Sequence, residues 1–271
     1  MRKLPVELKC GLCGCGAILV KSHFIPKGIY RLIRNPNGVC PDPAHVSARK
    51  ILSTSFQYQK SYLCQECERR FSNFGEKWTI PQLLHNHKFL LRQNVKSCPS
   101  IPAFEHFFDC SASKDVDCNK LGYFATSIFW RAAATTWPGI GGEPTTRIAL
   151  GSYEEDLRAY LLGQAEYPRN SAITLIIGND DDLECLQCAA LPSGGRHRDG
   201  FFKYKLQLPG VLFVLYLGKK IPKDIRSQCL LRENRIVIAE LGTYNTEVLR
   251  VSTRNAQLSG KLKWELLGMS A

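Results

Sequence analysis

What this 271-residue chain lacks removes several classes of protein at once. No apolar run approaches the roughly 20 residues that a membrane-spanning helix needs. The opening Met1-Arg2-Lys3-Leu4-Pro5 has no apolar core of the kind a secretory signal carries, and the chain passes directly into a cysteine-rich segment. No internal repeat or low-complexity tract stands out. The expectation is a soluble, cytoplasmic protein with no membrane partner. With 44% hydrophobic and 22% charged residues the composition is globular, and the length suits one large domain or two of ordinary size.

Acidic residues are scarce in one part only. Residues 1–100 hold 16 Lys and Arg against 5 Asp and Glu, a balance of +11, whereas residues 101–271 hold 20 against 19, a balance of +1. A polyanion is the natural partner for the first segment, because each Lys or Arg that meets a phosphate releases condensed counterion. A merely solvated basic surface is the alternative. Four thiolates on one zinc ion would lower the local balance by about 2, since the ion returns two of the four charges.

Twelve cysteines in a reducing compartment do not make a disulfide framework. Seven lie in residues 1–100, and four of these form the pairs Cys10-Gly11-Leu12-Cys13 and Cys64-Gln65-Glu66-Cys67. Two intervening residues let both sulfurs of a pair face one ion, and a second pair closes the tetrahedron that zinc prefers. Gly11, Gly14 and Gly16 suit the tight turn of the first pair. Cys15 is a possible substitute ligand. Cys185 and Cys188 have the same spacing without a second pair nearby, and read as buried thiols. The neighbouring Asp180-Asp181-Asp182 reads as an acidic turn between strands.

The local patterns predict an α+β fold. Ala17 to Val20 reads as a strand leading into Ser22-His23-Phe24-Ile25-Pro26, and residues 35–50 as a long turn-rich loop. A helix is expected from Glu66 through Trp78, with Phe71 and Phe74 packing inward, and mixed helix through residue 95. A boundary at Cys98-Pro99 divides the chain into residues 1–97 and 98–271. The second part should begin with helices, over Leu121 to Thr136 and then after Ser152, where Glu155 completes a capping box. A largely antiparallel sheet should follow, with strands at 173–177, 201–208, 211–217, 235–241 and 247–251.

The order of these features, cysteine pair, strand with Ser-His, loop, cysteine pair, helix starting Cys-Glu, resembles the HNH, or ββα-metal, nucleases held by a treble-clef zinc. The resemblance is closest to a group of bacterial HNH-like proteins. The shared segments are Ser22 to Pro26, Leu63 to Glu68, Gly75-Glu76-Lys77-Trp78, and Ser127 to Arg131. It implies an endonuclease acting on phosphodiester bonds, with DNA as the expected substrate and anti-phage defence as a plausible setting. It also implies structural zinc on Cys10, Cys13, Cys64 and Cys67, and catalytic Mg²⁺ or Mn²⁺. His23 would be the general base and is neutral enough near pH 7 to accept a proton from water. Glu68 and Glu76, eight residues apart on one helix, would offer carboxylate oxygens to the divalent ion. Asn73 lies between them and is a candidate for orienting His23 or a phosphate. Lys27, Arg31 and Arg34 are candidate phosphate contacts. Two positions depart from the usual pattern: Ser22 stands where an acidic ligand often precedes the histidine, and Glu68 where a histidine often follows the last cysteine.

A second reading is a non-catalytic, zinc-stapled module that recruits a partner protein to nucleic acid. Residues 98–271, near neutral and rich in apolar strands, would suit a protein partner, self-association or a small ligand. Whether His23, Glu68 and Glu76 converge separates the two. Both readings predict nucleic-acid binding that weakens steeply with salt, with a log–log slope set by the number of phosphates contacted. An affinity for oligonucleotides that is unchanged between 50 and 200 mM salt would point to another kind of partner.

Overall fold

The computed structural model describes residues 7–34, 41–46, 50–102, 106–181, 183–242, 244–245 and 257–259. Strands β1 (Leu8–Lys9) and β2 (Gly16–Ala17) pair antiparallel and close around the first cysteine pair. The chain breaks at Ile18, so the strand expected over 17–20 is two, and β3 (Leu19–His23) starts afresh. Helix α1 (Lys27–Leu32) follows Pro26 directly; the proline's fixed φ suits a helix entry. Within the expected long loop, β4 (Ala44–Val46) and β5 (Lys50–Ser53) form an antiparallel pair. Strand β6 (Gln59–Cys64) then returns along β3, from His23↔Gln59 to Leu19↔Cys64, with a bulge between Val20 and Lys21.

The helix expected from residue 66 is interrupted. Helix α2 (Gln65–Phe71) gives way to a π-helical turn at Ser72–Glu76, then α3 (Lys77–Thr79) and a 3₁₀ turn at Ile80–Gln82. The i→i+5 pattern adds a residue to the turn and so rotates α3 about the helix axis relative to α2. Phe71 is fully buried, but Phe74, expected to pack beside it, is 53% exposed. His85-Asn86-His87 forms a tight turn rather than helix, with φ of +47° at Asn86 and +62° at His87. Helix α4 (Leu90–Lys96) ends this part.

Strand β7 (Phe107–Asp109) precedes the long helix α5 (Cys118–Ala134), whose first turn is capped by the Asp117 carboxylate accepting from the Lys120 N–H at 2.9 Å. Helix α6 (Tyr153–Leu161) starts after Ser152 as expected, but without the capping box, because the Glu155 carboxylate is held by Arg158 at 2.7 Å. Next come β8 (Ser171–Gly178), β9 (Ala190–Arg196), β10 (Phe202–Leu208), β11 (Val211–Leu217), the short helices α7 (Lys223–Arg226) and α8 (Leu230–Glu233), and β12 (Arg235–Ala239). They form a six-stranded sheet in the order β7-β12-β8-β11-β10-β9, antiparallel except where β12 runs parallel to β8. Strand β13 (Gln257–Ser259) pairs parallel with β5. The strand expected over 247–251 lies outside the described residues.

The main core joins Phe24, Ile29 and Leu91 to Phe124 and Ile128 of α5 and to Leu175 and Phe213 of the sheet. A smaller cluster packs the cysteine pairs, Leu12, Leu63 and Phe71 against Tyr123 and Trp130 of the same helix. The division at residue 97 therefore follows charge and composition, while buried packing crosses it through α5. The π-helical turn meets α5 at Gly75, where an added Cβ would lie 2.9 Å from the Phe124 Cα. Gly75→Ala should lower the free energy of unfolding in urea by about 1–3 kcal/mol, because backbone cannot yield to the methyl. Gly195→Ala, which meets open space, should stay within about 0.5 kcal/mol of the parent. Equal values for the two would mean that the turn and α5 are not in close contact.

Candidate metal centre and basic cleft

The first cysteine pair is shaped by its backbone. The Cys10 N–H donates to the Cys15 carbonyl and the Gly14 N–H to the Cys10 carbonyl, both at 2.9 Å. Gly14 takes φ +76°, where a side chain would be strained. Gly11 donates to the Tyr62 carbonyl at 3.0 Å, with the Tyr62 ring where a Cβ at Gly11 would stand. The second pair opens α2, with Cys64 at its N-cap position and Cys67 in its first turn. The β3–β6 ladder places the two pairs face to face.

The ligand atoms of Cys10, Cys13, Cys64 and Cys67 all lie within 4.8 Å of one another. The Cys13 and Cys64 sulfurs are 3.9 Å apart, against about 3.8 Å for tetrahedral zinc with 2.3 Å bonds. Burial raises the Cys64 and Cys67 thiols. Burial opposes ionisation of Cys10 as well, but the backbone N–H groups of Cys64, Cys13 and Leu12 bring it down to about 7. Four packed sulfurs with one ready to ionise form a donor set that a divalent cation completes, and these four cysteines could bind zinc. Cys15 is exposed and points to the Cys13 carbonyl, outside the cluster. From α6, Arg158 donates to the Leu12 carbonyl at 2.6 Å and brings a positive charge beside the sulfurs.

At the far end of β3, His23 is half-buried, and its Nε2 lies 3.0 Å from the Gln57 Oε1. Burial depresses the His23 pKa below its usual 6.5; the charges of Lys27 and Arg131 add to this, while the Gln57 bond and the Glu68 charge oppose it. His23 lines an open cleft of about 680 Å³ together with Lys21, Lys27, Ser55, Phe56, Gln57, Gln59 and Pro138. Ser22 faces the other way. It is fully buried, accepting from the Leu63 N–H at 3.1 Å and donating to the Val20 carbonyl at 3.4 Å, so it satisfies backbone at the bulge. Ser22 is therefore a structural hydroxyl in this chain.

Glu68 is partly buried, and its Oε1 is buried with no hydrogen-bond partner. Glu76 is engaged differently from the expectation. Its Oε1 accepts from Arg131 Nη2 at 2.7 Å, and Arg131 is only 1% exposed. The same guanidinium donates to the Phe24 carbonyl at 3.3 Å and sits 4.5 Å over the Phe71 ring. Among the described residues, the four cysteines are the one group of three or more His, Cys, Asp or Glu side chains close enough to hold a metal. His23 thus feels the charges of Glu68, Lys27 and Arg131.

Of the other expected contacts, Lys27 and Arg31 are exposed on α1, whereas Arg34 is paired with Asp42 at 2.7 Å. Asn73 is exposed on the π-helical turn. Cys185 and Cys188 are partly buried, and burial lifts the Cys188 thiol to about 11. His85 contacts the Leu32 carbonyl at 3.3 Å. Sequence reasoning passed over Lys21, although it shares a strand face with His23 at i, i+2. It could not have found Phe56, Gln57 or Pro138, which arrive from distant segments. Arg131 lay within a recognised segment but its bond to Glu76 has no local signal.

Comparison with protein-family models, curated proteins and solved structures finds no match to this chain. No helix of the described residues is long and apolar enough to cross a membrane. Cys64→Ser should lose bound zinc, by elemental analysis, and with it the fold of residues 7–71, because a structural zinc contributes folding free energy directly. Unchanged zinc content and an unchanged melting curve would exclude the four-cysteine site.

Proposed function

We propose that this chain is a metal-dependent endonuclease of the HNH-like class, built on a treble-clef zinc unit and hydrolysing phosphodiester bonds, with DNA as the first substrate to test. The observation that carries the reading is His23, half-buried with a depressed pKa, opening onto a cleft that also holds Lys21 and Lys27. With the Gln57 oxygen accepting from Nε2, the basic nitrogen is Nδ1, free to take a proton from water attacking phosphorus. Lys21 and Lys27 bind the phosphate. Glu68 is the carboxylate for Mg²⁺ or Mn²⁺, an ion that would stabilise charge on the phosphate and leaving oxygen. Glu76 acts through Arg131, which fixes the Phe24 carbonyl next to His23.

The second reading, a nucleic-acid-binding module without chemistry, is favoured by one observation: no further group of three candidate metal donors is assembled near His23 among the described residues. Cleavage of plasmid and oligonucleotide DNA by the zinc-loaded protein with Mg²⁺ or Mn²⁺ separates the two. The nuclease reading expects cleavage that His23→Ala lowers by about 10²–10⁴-fold with zinc content and DNA binding retained. Glu68→Ala should be partly rescued by excess Mn²⁺. Binding without cleavage under every metal condition supports the module instead.

The pH dependence carries a definite sign. The folded pKa of His23 is depressed, so its neutral form persists through pH 7, and cleavage should fall only as pH drops below 6.5. Protonation also opposes its burial: this contribution to stability is present above 6.5 and lost as pH falls through the folded pKa. A rate that instead rises toward pH 5 would exclude His23 as the base.

A further inference from the structure

The cleft around His23 offers more than phosphate contacts. Lys21 and Lys27 are exposed and supply charge. The opposite character comes from Phe56 and Pro138, an aromatic ring and an apolar ring lining the same 680 Å³ space. Phe56 is held edge-to-face against Tyr58 with ring centroids 5.2 Å apart, and its N–H bonds to the Thr54 hydroxyl at 3.1 Å, so its position is fixed by its neighbours. The polar groups on this wall are the Ser55 hydroxyl and the Gln59 amide. Gln59 lies opposite His23 in the β3–β6 ladder, and the amide that is committed to His23 is that of Gln57.

A duplex keeps its bases stacked and turns a sugar–phosphate ridge toward a protein that approaches its backbone. Such a ridge would use the two lysines and His23 and leave the aromatic wall, the hydroxyl and the Gln59 amide without partners. An unstacked nucleotide uses all of them: phosphate on the lysines, base against Phe56, base edge on Gln59 and Ser55. The cleft is open, with about 680 Å³ of space between these side chains. His23 lines the same cleft as the two lysines and Phe56.

We infer that the substrate class of this site is single-stranded nucleic acid, or a strand locally unpaired, with one base stacked on Phe56. The inference rests on the nuclease reading for its chemistry, but its binding preference is measurable without any cleavage. Fluorescence anisotropy of the full-length zinc-loaded protein, with no added Mg²⁺ or Mn²⁺ and at fixed salt, would compare a labelled 12-nucleotide single strand with its duplex. The single strand should bind more tightly. Phe56→Ala should weaken the single strand by about 5–150-fold, the range that loss of one base–aromatic stack gives, while moving the duplex little. Phe56→Trp, which keeps a stacking face, should preserve the preference and guards against a fold defect in the alanine variant. Duplex binding as tight as that of the single strand, or an equal loss of both in Phe56→Ala with Phe56→Trp unaltered, overturns the inference. Neither result depends on whether His23 cuts, so a failed cleavage assay leaves this test standing.

Discussion

The ion pair between buried Arg131 and partly buried Glu76 is the constraint on which the candidate site depends. A guanidinium at 1% exposure needs its charge and its terminal N–H groups met, and of its nitrogens only the Arg131 Nε is buried without a hydrogen-bond partner. Here the Glu76 carboxylate meets one side, the Phe24 carbonyl another, and the Phe71 ring lies beneath it. Arg131 stands on α5, and its partners come from the end of α2 and the π-helical turn that follows it, and from the residue after His23. The Arg131 carbonyl in turn accepts from the Trp137 indole at 3.1 Å, and Trp137 stacks on Phe24. Three segments remote in sequence therefore share one charge, and His23 sits at the edge of that arrangement.

The cysteine centre fixes the other end of the same strand. Strand β3 runs from Leu19, opposite Cys64, to His23, opposite Gln59, a span of about 14 Å at 3.4 Å per residue. Closing the four cysteines anchors both β6 and the start of α2, and Arg158 ties the first cysteine pair to α6. The position of His23 is then set from two directions, by the ladder from the cysteine end and by the Arg131 contacts at Phe24. Rigidity of this kind suits the general-base role proposed for His23, since a base must hold one geometry relative to the reacting atom.

Much of this was legible in the sequence where the signal is local. The spacing of Cys10, Cys13, Cys64 and Cys67 picks out the cluster, and apolar runs such as Val211–Leu217 mark the central strands. Features set by tertiary contact were not legible. Nothing between Cys67 and Trp78 announces a π-helical turn; Gly75 permits the approach to Phe124 that accompanies it, and the exposure of Phe74 is a consequence. Strand β9 was missed because Pro192, Gly194 and Gly195 argue against a strand, and pairing with β10 overrides them. The capping box at Ser152 failed because Arg158, one turn on, offers Glu155 a charged partner. Glu76 reads as a free helix carboxylate until Arg131, 55 residues away, is placed beside it.

The claim that Arg131 and Glu76 join the separate segments into one unit is tested most directly by a double-mutant cycle in the free energy of unfolding. If the pair holds the unit together, Glu76→Gln and Arg131→Met should each cost about 3–5 kcal/mol, and the double variant little more than either alone. Costs that simply add, or single variants as stable as the parent, would contradict it.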